Sequence, residues 1–210
     1  MSGLLKQHSI CKHLHFCLLL TVWLIFSPSQ AEPIASKPEH QPSSIAIIET
    51  NLGNITIALN STAAPITTAN FINYANSYFY DGLIFHRVVK DFMIQTGGYW
   101  FDYRVKEPTG ETIINESANG LKNRRGSVAM ARYQDPDSAR AQFFINLTDN
   151  SHLDATDKDL GYTVFGQVIS GMDVADKIGA LPIQAVTPAL THVPIETVQI
   201  QHIAIEEAAP

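Results

Sequence analysis

The chain has 210 residues, 45% hydrophobic and 16% charged, with 14 Lys and Arg against 20 Asp and Glu, a net charge of −6. That balance is too apolar for a disordered tail, too mixed for a polytopic membrane protein and too acidic for a nucleic-acid partner. Twelve glycines and 11 prolines exclude a collagen-like or low-complexity chain.

Residues 1–31 read as a secretory signal peptide. Lys6 and Lys12 supply a positive start without any acid, and Phe16 to Phe26 is an apolar run. That run is too short for a spanning helix, which needs about 20 apolar residues. Ser29-Gln30-Ala31 places small residues where a signal peptidase would cut, so cleavage is expected after Ala31. The alternative is an uncleaved membrane anchor. Both cysteines, Cys11 and Cys17, fall inside this leader, so the mature chain has no thiol and needs no disulfide. Losing Lys6 and Lys12 takes the net charge from −6 to −8.

Residues 32–43 carry three prolines and read as a flexible linker. One domain is expected over 44–207. Its first runs, 45–50 and 55–59, flank Asn51-Leu-Gly-Asn54 and predict a β-hairpin. Pro65 opens a helix to about residue 79, with Phe71, Ile72, Ala75 and Phe79 on one stripe. Short β-type runs follow at 83–89, 92–96, 127–131, 142–146, 163–169 and 196–205, with a second helix over 172–178. Many short strands with two helices predict a mainly β fold, a closed or nearly closed antiparallel barrel capped by the helices.

The usual catalytic constellations are missing from the sequence. There is no Gly-x-Ser-x-Gly elbow, no His-Glu-x-x-His pair and no thiol nucleophile, which argues against a hydrolase. His40, His86, His152, His192 and His202 show no ligand spacing, so neither metal nor cofactor is expected. Sequons at Asn54, Asn60, Asn115 and Asn146 read as chance.

Three stretches stand out. They are Phe85-His-Arg-Val-Val-Lys-Asp-Phe-Met-Ile-Gln-Thr-Gly-Gly98, Gly126-Ser-Val-Ala-Met-Ala-Arg132 and Ala141-Gln-Phe-Phe-Ile-Asn146. Together with Tyr162-Thr-Val-Phe-Gly-Gln-Val and Gly171-Met-Asp-Val-Ala-Asp-Lys, they resemble the signature of the cyclophilin-type peptidyl-prolyl cis–trans isomerases. The resemblance runs from about Ser44 to Glu206. With the leader and the short connection from Gly98 to Asn115, it is closest to the exported bacterial branch, which implies a periplasmic location.

The resemblance implies a closed eight-stranded antiparallel β-barrel capped by two α-helices. It implies that Arg87 is catalytic, and that Phe92, Met93, Phe144 and Leu153 line a proline pocket. Gln95, Ala131, Arg132 and Gln142 match positions that hold the substrate backbone. His152 and Tyr162 stand at rim positions where many members carry tryptophan and histidine. The tryptophan position is associated with cyclosporin affinity, so weak cyclosporin binding is expected. The implied partners are proline-containing polypeptides, unfolded or partly folded. No nucleic acid, no membrane after cleavage and a monomeric chain are expected. The rival reading is a proline-peptide binding module or chaperone without turnover.

The chemistry suits this residue set. Amide resonance gives X–Pro rotation a barrier of roughly 18–20 kcal/mol, while the two ground states differ by only about 0.5–1 kcal/mol. No bond has to break, so no nucleophile is needed. A twisted amide returns a lone pair to the proline nitrogen, which a rigid guanidinium can meet as donor. Phe143 and Phe144 are adjacent, so on a strand one faces the core and the other the opposite side.

Overall fold

The computed structural model describes residues 44–207. The predicted leader, its cleavage point and the linker all lie outside these residues.

The domain is mainly β. Strands β1 (Ser44–Thr50) and β2 (Gly53–Leu59) form the expected hairpin, paired from Ser44 opposite Leu59 to Thr50 opposite Gly53. Only Asn51 and Leu52 make the turn, because Gly53 takes φ 130° and starts the return strand two residues early. Helix α1 (Pro65–Asn76) opens on its proline. It stops before Phe79 because Tyr78 turns left-handed at φ 57°. The Phe79 and Tyr78 amides then fold back onto the Tyr74 and Ala75 carbonyls, at 3.0 and 2.9 Å. This is the Schellman pattern, with tyrosine in the place glycine prefers.

The remaining ladder strands are β3 (Arg87–Val89), β4 (Met93–Thr96), β5 (Ser127–Met130), β6 (Phe143–Asn146) and β7 (Val164–Ser170). Helix α2 (Met172–Gly179) and a small hairpin of β8 (Ile183–Gln184) and β9 (Val193–Pro194) precede β10 (Ile200–Glu207). Sequence patterning did not reveal that hairpin, whose strands are two residues long. Eight strands form one antiparallel sheet in the order β10-β1-β2-β7-β5-β6-β4-β3.

The sheet is a curled half-barrel, and its ladder ends at β3 and β10 rather than running unbroken round a closed barrel. Residues 83–86, expected to extend β3, leave the ladder. Between the two ends the backbone makes local links only. Gly82 and Phe85 donate to Ile200 and Val198, Ile200 donates to Leu83, and Ile84 bridges Gln199. The free edge of β3 is partly covered, since Val88 donates to His192 at 2.8 Å.

Inside the curl, Phe71 of α1 packs at 5.2–5.5 Å against Tyr80, Phe143 and Phe165. Tyr80 is fully buried, and its hydroxyl donates to the Ala141 carbonyl at 2.9 Å. Among the described residues no helix is long and apolar enough to cross a membrane.

Candidate active site

Strand register builds the site. Arg87 pairs with Gln95, Gln95 with Phe144, Phe144 with Ala129 and Ala129 with Val164. That is one row across β3, β4, β6, β5 and β7, and directly paired residues share a face of the sheet. Val89 and Met93 pair one step further along that face. The residues between them, Val88, Ile94, Ile145 and Val128, point into the core cluster with Phe143.

The outer face carries a second, smaller apolar cluster. Met93, Ala129, Phe144 and Val164 form its buried floor, with Val89, Phe92, Leu121, Ala131, Leu153 and Tyr162 packed around them. All four predicted wall residues, Phe92, Met93, Phe144 and Leu153, are therefore brought together. Phe92 reaches the cluster because Asp91 takes φ 56° and tightens the turn between β3 and β4, closed by the Phe92 amide on Val89. Asp tolerates that left-handed geometry better than most side chains.

Arg87 lies at the edge of this cluster. Its Nη1 donates to Gln95 Oε1 at 3.3 Å and approaches Met93 Sδ at 3.7 Å, and its guanidinium sits 5.9 Å from the Phe92 ring centre. The Gln95 amide donates onward to Gln142 Oε1 at 2.8 Å. Partial burial pulls the Arg87 pKa below its ordinary value, while the nearby Tyr162 acts in the opposite sense. Arginine stays charged through such a shift, because its guanidinium titrates far above neutral pH to begin with. Gln142 can lie along this row only because residue 98 is glycine, as a Cβ there would collide with its amide.

His152 is exposed and stacks on Phe92 at 5.6 Å and 23°. Tyr162 meets Phe144 edge-on at 5.7 Å. Ala131 packs at the border of the cluster, and its amide donates to the Gln142 carbonyl.

Arg132, expected to hold the substrate backbone, has its side chain engaged by the protein itself. Its guanidinium donates to the carbonyls of Tyr133, Gln134, Leu160 and Gly161, and stacks 4.7 Å above Tyr162. Its donors are used on the protein's own loops, and its planar group covers the Tyr162 ring.

Two clefts, of about 200 and 180 Å³, flank the Gln95–Gln142 pair. The first is bounded by His86, Tyr99 and the segment Ala189 to His192, none of which the sequence reading assigned to the site. A larger groove of about 420 Å³ crosses β2 and β7 around Leu59 and Gln167 and holds none of the predicted residues, so size alone is a poor guide here. Ala129 and Val164 were also missed. Period-two spacing could have found them, since each stands two residues from an assigned neighbour, Ala131 or Tyr162.

The fold and site thus define a mainly β protein that sets a guanidinium beside an apolar hollow on one face of its sheet. The chain belongs to the family described as cyclophilin type peptidyl-prolyl cis-trans isomerase/CLD, whose profile matches residues 45–205. It is 45% identical over 163 residues to peptidyl-prolyl cis-trans isomerase A of Dickeya dadantii (strain 3937), covering 78% of this chain and 85% of that one. It is 46% identical over 163 residues to isomerase B of Escherichia coli (strain K12), covering 75% and 97%. Among solved structures, a Cryptosporidium parvum cyclophilin type isomerase crystallised in the presence of the dipeptide Ala-Pro matches with a TM-score of 0.64. The two share 27% identity over 77% of this chain and 98% of that one.

Proposed function

We propose that this protein accelerates rotation about X–Pro bonds in polypeptides, with Arg87 as the catalytic residue. The observation that carries the proposal is the row Arg87–Gln95–Phe144, which sets a charged donor on the lip of an apolar hollow. Phe92, Met93, Phe144 and Leu153 would grip the pyrrolidine ring. Rotation then takes place on the N-terminal side of the bond.

In the planar amide the proline nitrogen offers no lone pair. At the twisted top of the barrier it does, and Arg87 can donate to it, so the interaction is stronger there than in either ground state. Gln95 receives Nη1 and is itself held by Gln142, so the guanidinium is oriented before substrate arrives. A single preorganised donor is worth roughly 3–4 kcal/mol. At about 1.4 kcal/mol per decade, that is two to three decades of rate. Gln95, Gln142 and Ala131 line the path along which an extended substrate backbone would run. His152 and Tyr162 would close its rim.

The finer readings are ours as well. The leader supports export to the periplasm, where slow X–Pro isomerisation limits folding on the scale of tens of seconds. His152 in place of tryptophan supports weak cyclosporin binding. The links from residues 82–85 to 198–200 support a barrel that closes along this seam.

The direct test is cis–trans exchange of a short Ala-Pro peptide, followed by NMR with wild type and Arg87→Ala. Loss of exchange in the variant is expected, and equal rates would refute the role of Arg87. Peptide binding without exchange in the wild type would instead favour the binding module. The N-terminal mass of the exported product checks cleavage at Ala31.

A further inference from the structure

Beside Met93, at the border of the apolar hollow, lie three buried asparagines that the mechanism above does not use. Asn123, Asn146 and Asn150 are 1%, 0% and 3% exposed. They come from the segment before β5, the end of β6 and the residue before a short 3-10 turn, Ser151–Leu153. A buried amide is costly unless it is hydrogen-bonded, so three together need an account.

Their bonds run one way. Asn150 Nδ2 donates to Asn146 Oδ1 at 2.7 Å, and Asn146 Nδ2 donates to Asn123 Oδ1 at 3.2 Å and to Ser127 Oγ at 2.8 Å. Turning any one amide over would set donor against donor or acceptor against acceptor. The ends of the file are not loose. Asn150 Nδ2 also donates to the Phe92 carbonyl at 3.0 Å. Asn123 Nδ2 reaches the Leu153 carbonyl at 3.2 Å and the Tyr162 carbonyl at 3.3 Å. Asp154 Oδ1 accepts from the Asn123 backbone amide at 2.7 Å and fixes its position. Each end therefore holds the main chain of a residue whose side chain borders the hollow. Leu153 and Tyr162 are joined directly, the Tyr162 amide donating to the Leu153 carbonyl at 2.9 Å, whereas Phe92 lies on another segment that shares no strand ladder with either.

We propose that Asn123, Asn146 and Asn150 are positioning residues of the isomerase site. They form a file of amides that sets the gap between Phe92 on one wall and Leu153 and Tyr162 on the other. That gap decides how closely the hollow fits a prolyl ring while the bond ahead of it twists. The proposal rests on the isomerase reading given above. It also removes Asn146 as a glycosylation site in the folded protein, since its amide is spent inside.

The test uses Asn150→Ala, which removes the side-chain bond to the Phe92 carbonyl, and Asn123→Ala, which removes those to the Leu153 and Tyr162 carbonyls. Both are compared with wild type and Arg87→Ala by peptide exchange NMR at a temperature where circular dichroism shows each variant folded. Displacement of about 1 Å in a binding wall can cost up to about a hundredfold in rate. Each asparagine variant is therefore expected to lose about tenfold or more, carried by kcat, with KM moving less than about threefold. The double variant is expected to be little worse than the poorer single, because residues in one network do not add.

A folded Asn150→Ala or Asn123→Ala with wild-type kcat overturns the proposal. So does a loss that only tracks the unfolded fraction. Should either alanine variant fail to fold, the serine variant at that position, which keeps one donor, decides by the same criterion. If Arg87→Ala matches wild type, the isomerase site itself is misassigned. If Arg87→Ala is inactive while the asparagine variants are fully active, only the amide file fails.

Discussion

The two apolar clusters of this domain lie on opposite faces of one sheet and differ in almost every physical respect. The inner one holds Phe71, Phe143, Phe165 and most of the aliphatic side chains, sealed from water. The outer one has four buried members, and six partly exposed neighbours surround them. Phe143 and Phe144 are consecutive in sequence and belong to different clusters. The inner face is spent on stability. The outer face leaves apolar surface incompletely covered beside a charge, which is the condition for binding an apolar ring in reach of a donor.

This contrast can be broken at several points. Phe143→Ala should cost about 3–5 kcal/mol of folding free energy by opening a cavity among rings. Phe144→Ala should cost less stability and more exchange activity. Denaturant melts alongside peptide exchange will separate the two, and equal destabilisation with unchanged activity in both would erase the distinction. Arg87→Ala should show the reverse of Phe143→Ala. A 100- to 1000-fold loss in kcat/KM is expected, with stability changed by no more than about 1 kcal/mol.

His86 gives a pH signature. Burial lowers its pKa from 6.5 to about 4. Between those values the unfolded chain binds a proton that the folded chain refuses, so stability falls as pH drops from about 6.5 to 4. The full effect, below both values, is of the order of 3 kcal/mol. Urea melts from pH 7 to 4 should show this slope, and His86→Gln should flatten it. An unchanged slope in that variant would mean that other groups carry the acid sensitivity.

The smallest effect is expected at the surface. The Arg125–Asp176 pair, 2.7 Å apart and nearly half exposed on both sides, anchors α2 to the loop before β5. Each partner holds the other charged, with the Asp176 pKa lowered by Arg125. Asp176→Ala should cost under about 1 kcal/mol, and less still in high salt. A larger loss in a thermal melt would show that α2 docking depends on it.

Much of the fold was legible because its signals are local. The hairpin 45–59, Pro65 at a helix start and the alternation around Phe144 depend on neighbours within a few residues. Departures came where distant partners compete. Residues 83–86 read as strand, but their backbone is engaged by residues 198–200 and not by the β4 ladder. The site residues were legible as a motif. Their roles depended on contacts, and Arg132 shows the limit: the sequence offers a cation, and four carbonyls on two loops decide where it points.

What the chain alone determined is therefore the inventory. It specified a thiol-free acidic domain, the elements with strong period, and a run that carries an arginine, a methionine and a glutamine to one strand pair. The tertiary structure decided the row that aligns Arg87 with Gln95 and Phe144, the cover over β3, and the file of asparagines. The reason is geometric. Alternation along a strand is set by the backbone of that strand, whereas the pairing of Gln95 with Phe144 and the bonds from Asn146 to Asn123 and from Asn150 to Phe92, 23 and 58 positions apart, exist only once the sheet has curled.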